Sequence, residues 1–174
     1  MATEDRTIAA FREVDLRAFG ELEVAYGDEP ALRIEASQAT LDRLTTEVQD
    51  GRLVISTRAL GWLFSPGPVR YWAVTPWPVE RVRLSGSGKV RLPGTKSDAF
   101  QAMISGSGDV QVRAIGAGAV QLEISGSGNI TVDSVQVASL KVQIAGSGKV
   151  SVQDGAAETL AVRIPGSGSY EGGG

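Results

Sequence analysis

The tripeptide Gly-Ser-Gly recurs at a constant interval, and this period constrains the fold more than any other feature of the sequence. Its five copies begin at Gly86, Gly106, Gly126, Gly146 and Gly166, 20 residues apart each time. Five copies in one register indicate a repeat architecture. Units of this size stack on their neighbours because a single unit cannot bury its own apolar face.

The residues around each tripeptide also repeat, as five apolar columns. Runs such as Val82-Arg83-Leu84 and Leu122-Glu123-Ile124 alternate apolar and polar residues, which indicates half-buried strands and not helices. Each unit is therefore interpreted as two short strands joined by a glycine corner. The columns start at Val82, Leu84, Val90, Leu92 and Phe100 and continue at 20-residue intervals.

Strict register places each residue over its equivalent in the next turn, about 4.8 Å away. The sequence therefore predicts an all-β fold: a right-handed parallel β-solenoid with 20-residue turns. The outward column Lys89, Asp109, Asn129 and Lys149 supports this register, because no two like charges are adjacent in it. The variable second corners, such as residues 134–137, are predicted to be loops along one edge, where solenoids usually place binding residues.

The first part of the chain lacks the period but remains rich in strand patterns. Residues 1–80 are predicted to form a strand-rich N-terminal cap, continuous with a solenoid over residues 81–174, because a stack needs a protected first edge. Asp50-Gly51 is a hairpin turn signal. The spacing of apolar residues between Thr40 and Val48 fits one or two helical turns.

Aromatic residues concentrate in a proline-rich stretch over residues 61–78. Trp62, Phe64 and Trp77 are the candidate partner-binding residues, forming a patch for a glycan or a surface protein. The alternative is a cap in which these aromatics pack over the first coil, since large aromatics mostly bury. Tyr71 and Trp72 are neighbours on a predicted strand, so one of them is expected in the core.

Composition limits the chemistry available to the chain. It contains no cysteine and no histidine, which removes disulfides, thiolate metal sites, the commonest general base and any Ser-His or Cys-His pair. A net charge of −3 argues against nucleic-acid binding, which is typical of basic domains. No stretch approaches the ~20 apolar residues of a membrane span. We expect no catalytic residues, no cofactor and no metal site.

Three chemical functions are alternatives to a purely structural role for the repeat: phosphate binding, calcium binding and polysaccharide cleavage. A phosphate cradle needs Gly-Ser-Gly between a strand and a helix, and no helix pattern follows it. Calcium rolls repeat every nine residues with an aspartate at each turn, whereas here Asp109 alone follows a tripeptide. An enzyme acting on acidic polysaccharides would need clustered titratable groups on one face, but Glu123 and Arg163 share a column two turns apart.

Three motifs in a fixed order carry a resemblance to a known family. They are the Leu-x-x-Leu and Asp-Gly-x-Leu-x-Ile segment from Leu41 to Ile55, a strand ending in Thr75-Pro76, and repeated Ser-Gly-Ser-Gly units followed by Lys, Asp or Asn and then Val or Ile. From about Phe11 to Tyr170 the chain resembles the bacterial auto-transporter adhesin head domains, a family of unknown biochemical function. Trp77-Pro78 departs from the apolar non-proline pair more usual there.

The resemblance implies a β-helix-like solenoid and a setting at the bacterial cell envelope or outside the cell, although the first residues show no signal-peptide pattern. The function expected is a non-enzymatic surface module, structural or adhesive, that presents a rigid rod to a glycan or a surface protein. One alternative is self-assembly into a homo-oligomer or fibre through the solenoid ends. A second alternative is a polysaccharide-active β-helix enzyme.

Overall fold

The computed structural model describes residues 2–57 and 67–172, and most of them lie in β-strands. The elements before the repeat are β1 (Ala2–Arg6), β2 (Glu13–Leu16), β3 (Glu21–Tyr26), β4 (Ala31–Ala36), α1 (Gln38–Leu41), β5 (Leu44–Gln49), β6 (Arg52–Thr57) and β7 (Arg70–Thr75). Those of the repeat are β8 (Arg81–Gly86), β9 (Lys89–Leu92), β10 (Thr95–Gly106), β11 (Asp109–Gly126), β12 (Asn129–Gly146), β13 (Lys149–Arg163) and β14 (Ser169–Gly172).

The repeat strands stack in parallel with the register that the sequence predicts. Val110 pairs with Ile130, and Leu122 pairs with Val142, each 20 residues further along the chain. The predicted β-solenoid with 20-residue turns is confirmed. At the glycine corner the backbone groups also form a ladder, in which Asp109 N donates to Gly88 O at 3.1 Å.

Each coil has three faces, not the two strands and a loop predicted. Face A is the strand before the glycine corner, such as 119–126. Face B is the strand after it, such as 109–112, and face C is the segment between them, such as 114–117. The prediction of loops for face C is wrong because Thr95, Ile115 and Val135 point inward, pair in register and form a further buried column.

The solenoid begins before the repeat, with two coils that carry no Gly-Ser-Gly. β2 pairs in parallel with β8 and β3 with β9, so Val14 lies beside Val82 and Leu22 beside Val90. β6 and β7 pair in parallel with the far sides of β2 and β3. One core cluster runs through all of these strands. The division of the chain near residue 80 stays a prediction.

Three antiparallel strands and a short helix cover the N-terminal end of the stack. β4 pairs with β7 and β1 pairs with β4 on face B, while β5 pairs with β6 on face A. The hairpin predicted at Asp50-Gly51 is confirmed, with φ values of 52° and 77°. The helix ends at Leu41 because the next residues, including Val48, join the β5–β6 hairpin. The helical prediction is wrong from Leu44 to Val48.

The two adjacent aromatics of β7 point to opposite sides of the strand, as expected. Tyr71 is fully buried and Trp72 is partly exposed, which confirms that one of the pair lies in the core. Among the described residues, no helix has the length and apolar character needed to cross a membrane.

Candidate binding surfaces

A shallow, mostly apolar groove of about 550 Å³ runs along the edge where faces B and C meet. We call it the B–C groove. Its floor is a stack of small residues at the corner position of successive coils, Gly94, Ala114 and Ser134. Because small side chains occupy this position in three coils, the floor is open to a ligand. Its N-terminal end is walled by Tyr26, Pro76 and Pro78.

Tyr26 is the aromatic among the lining residues of the groove, and two hydrogen bonds hold its ring in place. Its hydroxyl donates to Gly94 O at 2.5 Å and accepts from Val79 N at 3.3 Å. With both bonds made, the ring still leaves 41% of the residue exposed. An aromatic ring that is anchored at its polar tip presents an apolar face at little conformational cost, which suits recognition.

Trp77 lies between the two prolines that wall the groove. It is 37% exposed, and the Arg12 guanidinium carbon lies 4.5 Å from its ring centroid, a cation–π contact. Of the three aromatics predicted to bind a partner, it is the one whose place the structure describes. Trp62 and Phe64 lie outside the described residues.

Sequence reasoning missed Tyr26, and no local pattern points to it. It is separated from Gly94 by 68 residues, and the pairing of β3 with β9 brings the two together. Tyr26 continues the inward alternation of Leu22 and Val24, which are buried, but it lies at the strand's end where the ring opens onto the groove.

The outward polar column of face B mixes charges of both signs and is partly paired. Asn129 Nδ2 donates to Asp109 Oδ1 at 3.1 Å, and Lys149 Nζ lies 3.0 Å from a carboxylate oxygen of Glu171. Charges that satisfy one another along the stack leave a solvated face with little net field for a strongly charged ligand.

Titratable groups in the described residues are dispersed or engaged in structure. No group of three or more aspartates and glutamates is arranged to hold a metal ion in that part of the chain. Arg33 donates a hydrogen bond to Asp5 and lowers the pKa of that exposed carboxyl. Burial raises the pKa of Tyr71, whose hydroxyl donates to Phe19 O at 2.7 Å.

Asp15 is the buried carboxylate of face A, at 1% exposure. Its Oδ2 accepts bonds from Arg17 Nε and Nη2 at 3.1 and 2.8 Å, while Oδ1 has no partner. Acid–base chemistry on a glycan needs a second positioned group, and the described residues place Arg17 beside Asp15 as a counter-ion.

The chain belongs to a known family, as the match of a family model over residues 10–172 shows. That family is described as "Putative auto-transporter adhesin, head GIN domain". Three motifs in the sequence pointed to the same family, so the resemblance is confirmed. A search of curated proteins finds no match.

Solved structures share the fold at low sequence identity. A protein from Bacteroides fragilis named a putative adhesin is 14% identical with a TM-score of 0.71, covering 98% of this chain and 96% of its own. A Parabacteroides distasonis protein named a putative lipid binding protein is 19% identical with a TM-score of 0.59, at 98% and 96% coverage. A putative adhesin from Parabacteroides merdae is 14% identical with a TM-score of 0.58, at 98% and 95% coverage.

Proposed function

We propose that this chain is a non-enzymatic adhesion module of the bacterial surface, which binds a neutral glycan along the B–C groove. Membership of the adhesin head family supports the surface role. The observation that carries the ligand class is the anchored, exposed ring of Tyr26 beside the open floor of small residues. Sugars have apolar faces that pack on aromatic rings and hydroxyls that need nearby polar groups.

The polar groups of the groove fit a ligand without charge. Ser134 and Gln136 line it and offer a hydroxyl and an amide, while Lys96 is its one charged side chain among the lining residues. A carboxylate-rich polysaccharide would favour several cations in one place. A neutral oligosaccharide that lies across two or three coils fits this lining better.

A glycan array followed by calorimetry on the hits tests the proposal. Tyr26→Ala is expected to abolish binding, and Tyr26→Phe is expected to retain most of it because the ring remains. Phe19→Ala is the matched control, since Phe19 is 46% exposed and lies at the opposite, glycine-corner edge of the coil. A hit that persists at full affinity in Tyr26→Ala would overturn the assignment of the groove, and an array with no hit would overturn the ligand class.

The same glycans distinguish the module from an enzyme. Incubation with acidic and neutral polysaccharides is expected to leave their chain lengths unchanged. Depolymerisation of any of them would contradict the non-enzymatic assignment. Antibody labelling of intact bacteria tests the surface location, and signal that appears after cell lysis alone would contradict it.

Self-assembly is a second candidate function, and the last coil favours it. Leu160 and Val162 occupy core columns, yet 53% and 40% of their surfaces are exposed. Exposed apolar side chains on a strand with an open edge are a typical template for another chain. Sedimentation velocity at rising protein concentration tests this, because association shifts the distribution to larger species and a constant monomer contradicts it.

A further inference from the structure

Within the part of the chain that the structure describes, most of the last coil is uncovered. β14 pairs with residues 149–152 of β13, on face B. The described residues supply no strand beside 154–163, so faces C and A end on the open edge of β13. The end is therefore a ramp, one strand higher on face B than on the other two faces.

On face A, the N-terminal end is covered by a charged side chain and a helix. Arg6 Nη1 donates to Leu44 O at 2.9 Å and Nη2 donates to Leu41 O at 2.8 Å, so the guanidinium covers carbonyl groups at the edge of β5. Leu41 and Leu44 are 2% and 4% exposed. A charge placed over an edge strand prevents another strand from pairing there. Head-to-tail stacking into a fibre would have to displace this cap.

We infer that two copies of the chain pair tail to tail through the open edges of β13, as a closed dimer with a twofold axis through Ala161. This inference rests on the self-assembly proposed as the second function and does not depend on what the B–C groove binds. Opposite residues of an antiparallel pair point to the same face, so inward residues must oppose inward residues. An axis at Ala161 meets this condition and sets Leu160 opposite Val162 of the second copy.

The charges at this edge are complementary in that register. Arg163 lies opposite Thr159 of the second copy, one residue from its Glu158, and the symmetry repeats the contact. Both charged side chains are exposed in the single chain. Each copy thus contributes one cation and one carboxylate to two equivalent ion pairs, which fixes the register more than it adds affinity.

The shape and size of the end also fit a second copy. A twofold axis on face A places the extra strand β14 of each copy over the open face C of the other, so two ramps close on one another. The last coil presents about 20 residues, which is close to the roughly 20–30 residues per side of a standard interface. An isologous contact of this kind closes at two copies, because it uses the open edge of β13 in both of them.

Sedimentation equilibrium from micromolar to millimolar concentration tests the inference on the full chain. The expected result is a monomer–dimer equilibrium with no larger species. Leu160→Asp is expected to weaken the dimer at least about 10-fold. Its melting temperature at low concentration should fall by only a few degrees, because 53% of Leu160 is already exposed in the monomer. A polymer series that survives Leu160→Asp would retain self-assembly but overturn tail-to-tail pairing, and a monomer throughout would overturn both.

A charge exchange separates this register from non-specific apolar contact. Glu158→Arg and Arg163→Glu, each alone, bring like charges together and should weaken the dimer about 10-fold, whereas the double variant should restore the original dissociation constant. Failure of the double variant to recover affinity would overturn the pairing about Ala161.

Discussion

Leu140 and Leu160 are paired in register on neighbouring strands, yet the exposed fraction rises from 2% to 53% between them. Their chemistry and their place in the coil are the same. The difference is that a further coil covers Leu140, whereas no strand in the described part of the chain covers Leu160. In a solenoid, burial depends on the stack as well as on the inward direction of a side chain.

The first prediction compares alanine substitutions within that column. Leu140→Ala should lower the free energy of unfolding by about 2–5 kcal/mol, since it leaves a cavity in a packed core. Leu160→Ala should lower it by only about 1 kcal/mol, because 53% of that residue is exposed in the monomer. Urea denaturation at a concentration where the protein is monomeric measures both, and equal losses would contradict the open end.

The repeat could be predicted from sequence because its signals are local and redundant. The Gly-Ser-Gly period, the apolar columns and the charge-balanced column of Asp109 and Asn129 all specify one register, and the structure has that register. Face C was missed because its inward residues, Thr95, Ile115 and Val135, vary between coils, and because Ile115 is followed by glycines and an alanine typical of loops.

The two coils before the repeat could not be predicted, since their partners are distant in sequence. Val14 pairs with Val82 through a 68-residue offset, while Leu53 pairs with Val14 through a different one. The coil of β6 and β7 stacks on the far side of the coil of β2 and β3, although it comes later in the sequence. A search for one constant period therefore does not find it. The floor of the B–C groove lies in the second corners that the sequence marked for binding, but its Tyr26 wall was missed, because Tyr26 reaches Gly94 across one of these offsets.

The second prediction concerns close backbone approach at the glycine corner. A Cβ on Gly128 would lie 2.2 Å from Gly108 O, whereas a Cβ on Gly116 would lie 3.6 Å from Lys96 Cγ. Gly128→Ala should therefore separate the coils and lower stability by about 3 kcal/mol or more. Gly116→Ala is the matched control and should change stability by less than about 1 kcal/mol. Thermal melts of the two variants check this, and a stable Gly128→Ala would mean that the corners are not stacked backbone on backbone.

The third prediction follows from the buried phenol of Tyr71. Burial raises its pKa above the unfolded value of about 10. The folded state then binds more protons than the unfolded state in alkaline solution, so the contribution of Tyr71 to stability is complete below pH ~10 and falls as the pH rises above it. Denaturation at pH ~8 and pH ~11 measures this loss.

Tyr71→Phe isolates that residue from other groups that titrate at high pH. At pH ~8 the variant should be less stable by about 1 kcal/mol, because the hydrogen bond to Phe19 O is lost. At pH ~11 the gap between the two proteins should narrow or reverse, since the variant has no phenol to ionise at this position. A gap that stays constant between the two pH values would contradict the sign of the shift.

The last prediction concerns the polar column of face B, where Asp109 lies between Lys89 and Asn129. Asp109→Lys places two ammonium groups on adjacent strands and should destabilise the fold by about 0.2–1 kcal/mol at low salt. The loss should shrink in high salt because these groups are exposed and screened. Asp109→Asn is the control, since it removes the charge but keeps an amide beside Asn129, and its stability should depend little on salt. Equal salt dependence in the two variants would show that charge alternation does not help to set the register of the coils.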